Sequence, residues 1–481
     1  MDAFEFAFWN AAAVVLVVAA QRRLVFSWSA IGVFLVTNLV IIQIGVLGIP
    51  LLREYAELRF STFKLSLLTD EDLKLAVILN VWGAGIVLAS YQLTHFALSG
   101  GNVLLKGPNL LTLDPQTDRL GLQRNRLLIA GSAVLLVALA YAAVSAARIV
   151  VGVQGVLAGS EVDILGARYD IGSDYWFIVT VFNVLPFLGV ALLLMHRLQD
   201  GRGLRLIVVL FNTCTTTLLL FTFQKRPFLV FICSLLLANA ATAERRVSRN
   251  AEQMSAGLVR RQGLGRSPVR LAGYGIIVFV VLLTLYQLQT QAASGGDDMQ
   301  DLLEGLGKLT VMASATILGG QAVPAVLFAH YYPSVEPHYG LRNIGLLSRL
   351  FGFDLYRPTF AVYDYFVGLD YPVSFVDRIE GSVASAALMD FYGAFGLIGW
   401  AFGAIGFGIA LNRVDAAIVR LRPDASRSLL AIFLFVSVYY LSNASVANTL
   451  AGYGGVIFAL LWLLLRVPSR RIVAARGATT T

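Results

Sequence analysis

The chain changes character at residues 389–396, where a long polar segment passes into an apolar run. This stretch reads Met389-Asp390-Phe391-Tyr392-Gly393-Ala394-Phe395-Gly396. Asp390 places a carboxylate at the start of an apolar helix. An ionisable group is costly in that position and therefore suggests a function. The alternative is a structural hydrogen bond near the helix end. Residues 291–384, just before this run, form the only long part of the chain that is neither an apolar run nor a basic loop.

Composition places the chain in a membrane. Of its 481 residues 57% are hydrophobic and only 14% are charged, with a mean hydropathy of +0.74. A soluble protein carries about 25% charged residues. Repeated apolar runs of roughly 17–25 residues predict a polytopic α-helical protein. The two cysteines, Cys214 and Cys233, lie inside such runs and are interpreted as buried small hydrophobic residues.

Eleven apolar runs predict the spans. They cover approximately residues 5–20, 28–50, 73–98, 127–148, 175–195, 205–222, 228–242, 271–290, 385–411, 428–443 and 452–466. The first run has no basic residues before it, only Asp2 and Glu5, so it is predicted to be a retained span. Thr69, followed by three acidic residues, is predicted to cap the third helix.

Charge sets the predicted orientation. Arg-rich loops follow the first, third, fifth, seventh and ninth runs, and the tail after the eleventh is also basic. The positive-inside rule places them in the cytoplasm and the N-terminus outside. The net charge of +8 comes largely from these loops, so it does not indicate nucleic-acid binding. Three regions result: residues 1–290 with spans one to eight, 291–384 as a large outer loop or lid, and 385–481 with spans nine to eleven and a basic cytoplasmic tail.

Basic residues on the predicted outer side need an explanation. Lys225 and Arg226 lie in a very short junction between two apolar runs, just before Pro227. They either snorkel into headgroups or form an anion site. Arg168 also has two interpretations: it forms an ion pair with a nearby acid, or it binds an anion. Guanidinium groups bind phosphate oxygens in bidentate fashion and stay charged at any working pH, so such a cluster suits a diphosphate.

The outer segment offers candidate bases and further cations. Transfer to a hydroxyl needs a group that accepts its proton. The candidates are Glu380, His338 and Asp390, while Arg342 and Arg378 could assist at a diphosphate. Each has an ordinary alternative: His338 as a solvated or packed residue, Glu380 as the ion-pair partner of Arg378, and Asp390 as a structural acceptor.

Two further features of residues 291–384 lead to predictions. Apolar residues at helical spacing over 299–309 predict a surface helix, and the apolar stretch 311–330 is interpreted as a re-entrant helix rather than a span. Its tyrosines, among them those at 331, 332, 363, 365 and 371, suit either sugar rings or an interfacial aromatic belt.

The residues just quoted resemble a known family. A basic pair at a tight helix junction, an earlier Arg-Tyr loop, and a long outer segment closing with Gly381-Ser382-Val383-Ala384-Ser385 and the 390–396 stretch are similar to Wzy-type oligosaccharide repeat-unit polymerases. These are related in architecture to the O-antigen ligases. The resemblance covers the layout of most of the chain, but its motifs are short. A His-x-His motif of the ligase type is not reproduced, since His338 stands alone.

The resemblance implies a GT-C-like fold of about 11 transmembrane helices with a large periplasmic loop bearing interfacial helices. It implies a metal-independent glycosyltransferase of the bacterial inner membrane, without cofactor, facing the periplasm. The substrate would be an undecaprenyl-diphosphate-linked oligosaccharide, elongated for O-antigen or exopolysaccharide. Arg168, Lys225 and Arg226 would take the phosphate-contacting positions. Membrane lipid is the surrounding partner, and a chain-length regulator and a flippase are candidate protein partners.

Two other functions fit the same sequence. A ligase would move the glycan to another lipid or to a protein. A lipid or solute transporter would favour inverted repeats and charges in mid-membrane. The spans contain few central charges and no visible repeat.

Overall fold

A computed structural model describes the chain in separate stretches. The described residues are 3–42, 67–102, 104, 107–111, 113, 122–158, 177, 179–199, 202–222, 225–253, 323–338, 340, 358–367, 386–442, 449–450 and 454–466. Within them the only β pairing is an isolated bridge between Leu122 and Arg466. The prediction of an all-α protein is therefore confirmed for this part of the chain.

The first half of the described structure contains ten α-helices, four of which adjoin π-helical turns. They are α1 (Ala3–Ala20), α2 (Arg22–Val25), α3 (Ala30–Leu35, continuing as π-helix Val36–Ile42), α4 (Asp70–Val77, then π-helix Ile78–Trp82), α5 (Gly83–Leu98), α6 (Arg124–Val144), α7 (Ala146–Ala158), α8 (Leu185–Leu198, preceded by π-helix Thr180–Val184), α9 (Arg202–Phe221) and α10 (Lys225–Gln253).

Five helices follow. They are α11 (323–334), α12 (Pro358–Val367), α13 (Ala387–Val419), α14 (Ala425–Leu441) and α15 (Gly455–Leu465). The described part of the predicted re-entrant stretch, residues 323–330, lies in α11, and residues 311–322 lie outside the described residues. The predicted surface helix at 299–309 lies outside the described residues.

Among the described residues, length and composition mark five helices as able to cross a membrane. These are Asp70–Leu98, Arg124–Val144, Thr180–Leu198, Gly203–Phe221 and Ala387–Val419, and five shorter apolar helices accompany them. Together they coincide with ten of the eleven apolar runs, while the run at 271–290 lies outside the described residues. Large apolar side chains remain exposed on these helices, such as Leu136 at 67%, Ile398 at 73% and Phe402 at 70%. Such surfaces suit lipid rather than water.

Two hydrophobic clusters hold the bundle together. The first combines α1, α3, α4 and α5 with α11, α12 and α13. The second combines α6, α8, α9 and α10 with α14 and α15. The long outer segment therefore contributes α11 and α12 to the first cluster, and their inner residues are almost fully buried. Val326, Phe328, Tyr332 and Phe366 each have 0% of their surface exposed.

Among the described helices, α13 packs most extensively against α5. At Gly408 a Cβ atom would overlap the Ser90 hydroxyl and the Val87 carbonyl oxygen. Absence of a side chain lets the two backbones approach, as is common between membrane helices. Above this contact, the Trp400 indole nitrogen donates to the Leu79 carbonyl at 3.0 Å, within the π-helical turn that leads into α5. The contact holds α13 in register against the α4–α5 helix.

Loops that are predicted to share one membrane face meet at one end of the bundle. Gly107 and Leu110 donate backbone hydrogen bonds to the carbonyls of Arg23 and Trp28, linking the loops after the first and third runs. The Arg427 guanidinium donates to the Asn109 carbonyl at 3.0 Å, and Gln123 donates to Leu465, so the loop after the ninth run and the end of the eleventh join them. This agrees with the predicted grouping, while the membrane face itself stays a prediction.

A buried carboxylate organises this end. Asp415 on α13 is 1% exposed and accepts hydrogen bonds from the backbone N–H groups of Ala30 and Ile31, at 2.9 and 3.4 Å. The Tyr91 hydroxyl of α5 donates to it at 3.0 Å. Asp415 thereby satisfies orphan amides in the first turn of α3, where Ser29 is the local N-cap. We call this group, with the loops beside it, the Asp415 end.

Two further predictions from the sequence have opposite outcomes: one is confirmed and the other is wrong. Thr69 caps α4 as predicted, through a capping box with Asp72. The prediction of buried cysteines is wrong for Cys233, whose side chain is exposed on α10, and Cys214 is half-buried. An exposed position on an apolar membrane helix faces lipid, so an apolar run does not by itself distinguish core from lipid contact.

Candidate functional site

At the opposite end of the bundle lie His330, His338 and several aromatic residues from the described part of the outer segment. This end comprises residues 69–72, 323–340, 358–366 and 386–396, and we call it the Asp72 end. Asp72 and Tyr91 lie 19 positions apart on the continuous helix Asp70–Leu98, which separates the two ends by about 28 Å. That spacing approximates the hydrocarbon thickness of a bilayer.

A carboxylate–imidazole pair is the centre of this end. The His330 Nδ1 atom lies 2.8 Å from the Asp72 Oδ2 atom, and the two side chains are 14% and 12% exposed. The capping box holds the carboxylate, because its Oδ2 atom also accepts from the Thr69 N–H at 2.7 Å and the Thr69 hydroxyl at 2.8 Å. The pair joins α11 of the outer segment to the start of α4.

Aromatic rings surround the pair. The His330 ring centre lies 6.1 Å from that of Tyr365 and 5.5 Å from that of Phe366, both on α12. Tyr331 meets Tyr365 edge to face at 5.6 Å. Tyr331 and Phe366 are buried, whereas Tyr365 is half-buried. The two aromatic stretches of the outer segment therefore pack on each other, and Tyr365 is the ring among them that keeps more of its surface.

His338 occupies a kink in α13. Gly396 has φ 67° and ψ −156°, which interrupts the helix, and this region of backbone space is open only to glycine. The His338 Nδ1 atom lies 3.2 Å from the Gly393 carbonyl oxygen, one turn before the kink. A Cβ atom at Gly396 would lie 3.3 Å from His338 Nε2, so the imidazole sits directly against the glycine. The kink thus creates the space and the acceptor for His338.

Tyrosines connect His338 to α11. Its ring stacks on that of Tyr332 at 5.9 Å and meets the ring of Tyr392 edge to face at 5.4 Å. The Tyr392 hydroxyl donates to the Tyr332 carbonyl at 2.8 Å, and both tyrosines are buried. Asp390, two positions before Tyr392, is 5% exposed and lies in the first turn of α13. The first turns of α13 and the end of α11 therefore pack against each other and are joined by a hydrogen bond.

The predicted site residues have different outcomes. The structure brings His338 and the first turn of α13, which carries Asp390, to the same end. Lys225 and Arg226 begin α10, with Pro227 in its first turn as expected, but their side chains are not described. The others lie outside the described residues, namely Arg168, Arg342, Arg378 and Glu380. Their roles at a diphosphate or as a base stay predictions.

Sequence reasoning missed the pairing of Asp72 with His330. Asp72 was explained by helix capping, which is correct but incomplete. The available signal was that both residues stand at helix ends assigned to the same membrane face, one before the third run and the other after the stretch 311–330. Among the described residues, no group of three or more potential ligands is placed to hold a metal ion.

Comparison with known proteins adds no relative. No family model matches the chain, and neither a curated protein nor a solved structure gives a significant match.

Proposed function

We propose that this protein is a polysaccharide polymerase of the bacterial inner membrane. It transfers a growing glycan from undecaprenyl diphosphate to the terminal sugar hydroxyl of another lipid-linked repeat unit, at the periplasmic face. The reaction needs neither metal nor nucleotide sugar. The runner-up within the same chemistry is a ligase that delivers the glycan to a different acceptor.

One observation carries the proposal: the described imidazoles of the outer segment and several of its aromatic rings meet the first turns of α4 and α13 at one end of an apolar helical bundle. His330 and His338 both lie there, each holding its Nδ1 atom against an oxygen acceptor. A lipid-linked glycan places its diphosphate and first sugars at the membrane surface, where we propose that this end of the bundle lies. Its lipid tail then lies beside the exposed apolar helix faces. The same end therefore suits a substrate that is part lipid and part sugar.

The proposed chemistry divides the work between two sets of residues. Arg168, Lys225, Arg226, Arg342 and Arg378 are the proposed ligands of the diphosphate. Positive charge fixed where the leaving diphosphate gains negative charge lowers the barrier directly. The outer segment supplies the base, for which the sequence offers Glu380, His338 and Asp390. Direct displacement at the anomeric carbon inverts its configuration.

The test is elongation of purified lipid-linked repeat units by the purified protein in detergent, with a chelator and no nucleotide. We expect a ladder of longer glycans from the wild type and a rate at least about 100-fold lower from Arg226→Ala. Arg413→Ala is the matched control, since this arginine is exposed on α13 two positions from Asp415. Full activity of Arg226→Ala would contradict the assignment of the diphosphate site.

A second candidate, transport, is favoured by a specific feature of the helices. In the described part of the chain, π-helical turns interrupt α-helices at Val36–Ile42, Ile78–Trp82 and Thr180–Val184. Each places a buried asparagine inside the bundle, namely Asn38, Asn80 and Asn183, all 2% exposed. π-Helical turns often mark functional positions, and broken helices are typical of transporters. Accumulation of a lipid-linked repeat unit on one side of proteoliposomes, with no longer glycan formed, would favour transport.

A further inference from the structure

We infer that Asp72 and His330 form the base dyad that takes the proton from the attacking hydroxyl of the acceptor glycan. The inference rests on the proposed glycosyl transfer. It adds a catalytic residue, His330, and a positioning residue, Asp72, that contribute from two different helices.

Hydrogen bonding determines which nitrogen of His330 can act. A carboxylate oxygen only accepts hydrogen bonds, so at 2.8 Å from Asp72 the Nδ1 atom of His330 carries the proton. The neutral imidazole then has its lone pair on Nε2. A carboxylate that holds Nδ1–H in this way orients the ring and stabilises the imidazolium that forms when Nε2 accepts a proton. The pair therefore has the arrangement of a general base and its orienting group.

The helix cap holds the Asp72 carboxylate in place independently of the imidazole. Its Oδ2 atom is held by the Thr69 N–H and hydroxyl in the capping box, so the carboxylate cannot turn away from α11. Capping of α4 needs no histidine, because Thr69 and Asp72 complete the box by themselves. The bond to His330 is additional to the helix cap, and it orients a group that the cap does not use.

The surroundings of His330 suit a sugar. Its side chain is 14% exposed, so it is desolvated without being sealed. Tyr365 and Phe366 stand beside the imidazole at ring distances of 6.1 and 5.5 Å. Sugar C–H faces pack on aromatic rings, and the half-buried Tyr365 offers such a surface with its ring centre 6.1 Å from that of the imidazole. The amphipathic site matches a glycan that presents a hydroxyl to Nε2.

Of the other described candidates, His338 has a structural task. His338 donates through Nδ1 to the Gly393 carbonyl, and its Nε2 atom lies against Gly396. It therefore fills the kink of α13 and satisfies a carbonyl there. Asp390 is 5% exposed within the first turn of the same helix. Of these three residues, His330 combines an orienting carboxylate with an aromatic surface for the substrate.

The step balances as follows. The acceptor hydroxyl oxygen forms a bond to the anomeric carbon of the donor glycan, while the bond from that carbon to the diphosphate oxygen breaks. The bonding electron pair leaves with the diphosphate, and the hydroxyl proton moves to His330 Nε2. The imidazolium beside Asp72 later returns the proton to water. No oxidant, reductant or further reactant is required.

The test measures the elongation rate against pH for the wild type, His330→Gln and Asp72→Asn, using purified lipid-linked repeat units. We expect His330→Gln to lower kcat about 100-fold or more, within the range of general-base catalysis, with little change in KM. The wild-type rate should fall on acidification as the imidazole becomes protonated, and the residual rate of His330→Gln should lack this fall. Asp72→Asn should lower kcat by about tenfold or more at an unchanged KM.

Three controls separate catalysis from folding. His95→Gln makes the same substitution in the last turn of α5, far from the Asp72 end, and should keep the wild-type rate and profile. Melting temperature in detergent checks that each variant is folded. Added imidazole should restore part of the activity of His330→Ala, which a purely structural role would not allow.

The outcomes distinguish the two proposals. A wild-type protein that elongates, together with a His330→Gln variant that keeps its rate or its acidic limb, overturns the dyad and leaves the polymerase standing. Loss of the acidic limb in His338→Gln instead assigns the base to His338 and also overturns the dyad. A wild-type protein that forms no glycosidic bond overturns the polymerase, and the dyad with it.

Discussion

Two buried aspartates at opposite ends of the bundle show how the partner decides the role of a carboxylate. Asp415 receives two backbone N–H groups and one phenol, donors that fix α3 and α5 against α13. Asp72 receives an N–H and a hydroxyl within its own helix cap, and then an imidazole from α11. The first set of partners only ties helices together. The second includes a group with a second nitrogen that can exchange a proton.

The difference extends to how the ends are built. At the Asp415 end, short loops between helices hydrogen-bond through their backbones, as between Leu110 and Trp28. Contacts at both ends join distant parts of the chain, since Asp415 lies 385 positions from Ala30. At the Asp72 end, the contact joins two ionisable side chains, with His330 258 positions from Asp72. Sites that depend on residues far apart in sequence need a rigid support, and the Asp415 end with the α5–α13 contact supplies it. We therefore expect mutations at the two ends to separate stability from activity.

The largest stability effect is expected at Asp415. Asp415→Ala leaves the N–H groups of Ala30 and Ile31 and the hydroxyl of Tyr91 without their acceptor inside the bundle. The loss should be about 3–5 kcal/mol, seen as a large drop in melting temperature or in the yield of folded protein. Asp415→Asn retains an acceptor oxygen and should lose clearly less. If the alanine variant melted like the wild type, Asp415 would not hold this end together.

The kink at Gly396 tests the Asp72 end. Gly396→Ala forces a side chain into backbone angles that suit only glycine and brings its Cβ to 3.3 Å from His338 Nε2. We expect a cost of about 1–3 kcal/mol and displacement of His338. The measurement is melting temperature together with elongation rate.

Gly406 provides the matched control, since a Cβ there meets nothing within 4 Å and its backbone is helical. Gly406→Ala should be neutral or stabilise the protein by up to about 1 kcal/mol. Equal behaviour of the two alanine variants would show that the kink is not required.

The smallest effect is expected at Asp424, the N-cap of α14 near the Asp415 end. Its side chain accepts from the Arg427 N–H at 3.0 Å. Burial raises the pKa of Asp424, and the backbone hydrogen bonds from Arg427 and Ser426 oppose this. A raised pKa means that the folded state holds the proton more tightly than the unfolded chain does. The resulting penalty is absent at acid pH and grows as pH rises above the ordinary range of aspartate.

Two substitutions separate the cap from the charge. Asp424→Ala removes the cap and should cost about 1 kcal/mol at neutral pH. Asp424→Asn keeps a capping oxygen without the charge, so it should match or exceed the wild-type melting temperature at pH 7 and lose that advantage near pH 4. A lower melting temperature for the asparagine variant at neutral pH would mean that the charge itself stabilises the cap.

Much of the helical layout could be predicted from local patterns. Thr69 as the cap of α4 follows from a threonine before three acids, and Pro227 in the first turn of α10 follows from its fixed backbone angle. The exposure of Cys233 could not be predicted in this way, because an apolar residue on a membrane helix can contact either lipid or the protein core. Of the residues at the Asp72 end, His338 and Asp390 were named as candidates from the sequence, whereas the pairing of His330 with Asp72 was not predicted.

By itself, the sequence determined that the chain is helical and apolar, where ten of its helices lie, and which loops carry the positive charge. These properties depend on neighbours within a few residues, which composition and spacing record directly. The tertiary structure alone decided that Asp72 meets His330, that Asp415 caps α3, and that Gly396 makes room for His338. Such contacts join residues tens or hundreds of positions apart, and only the packed bundle brings their atoms within hydrogen-bonding distance.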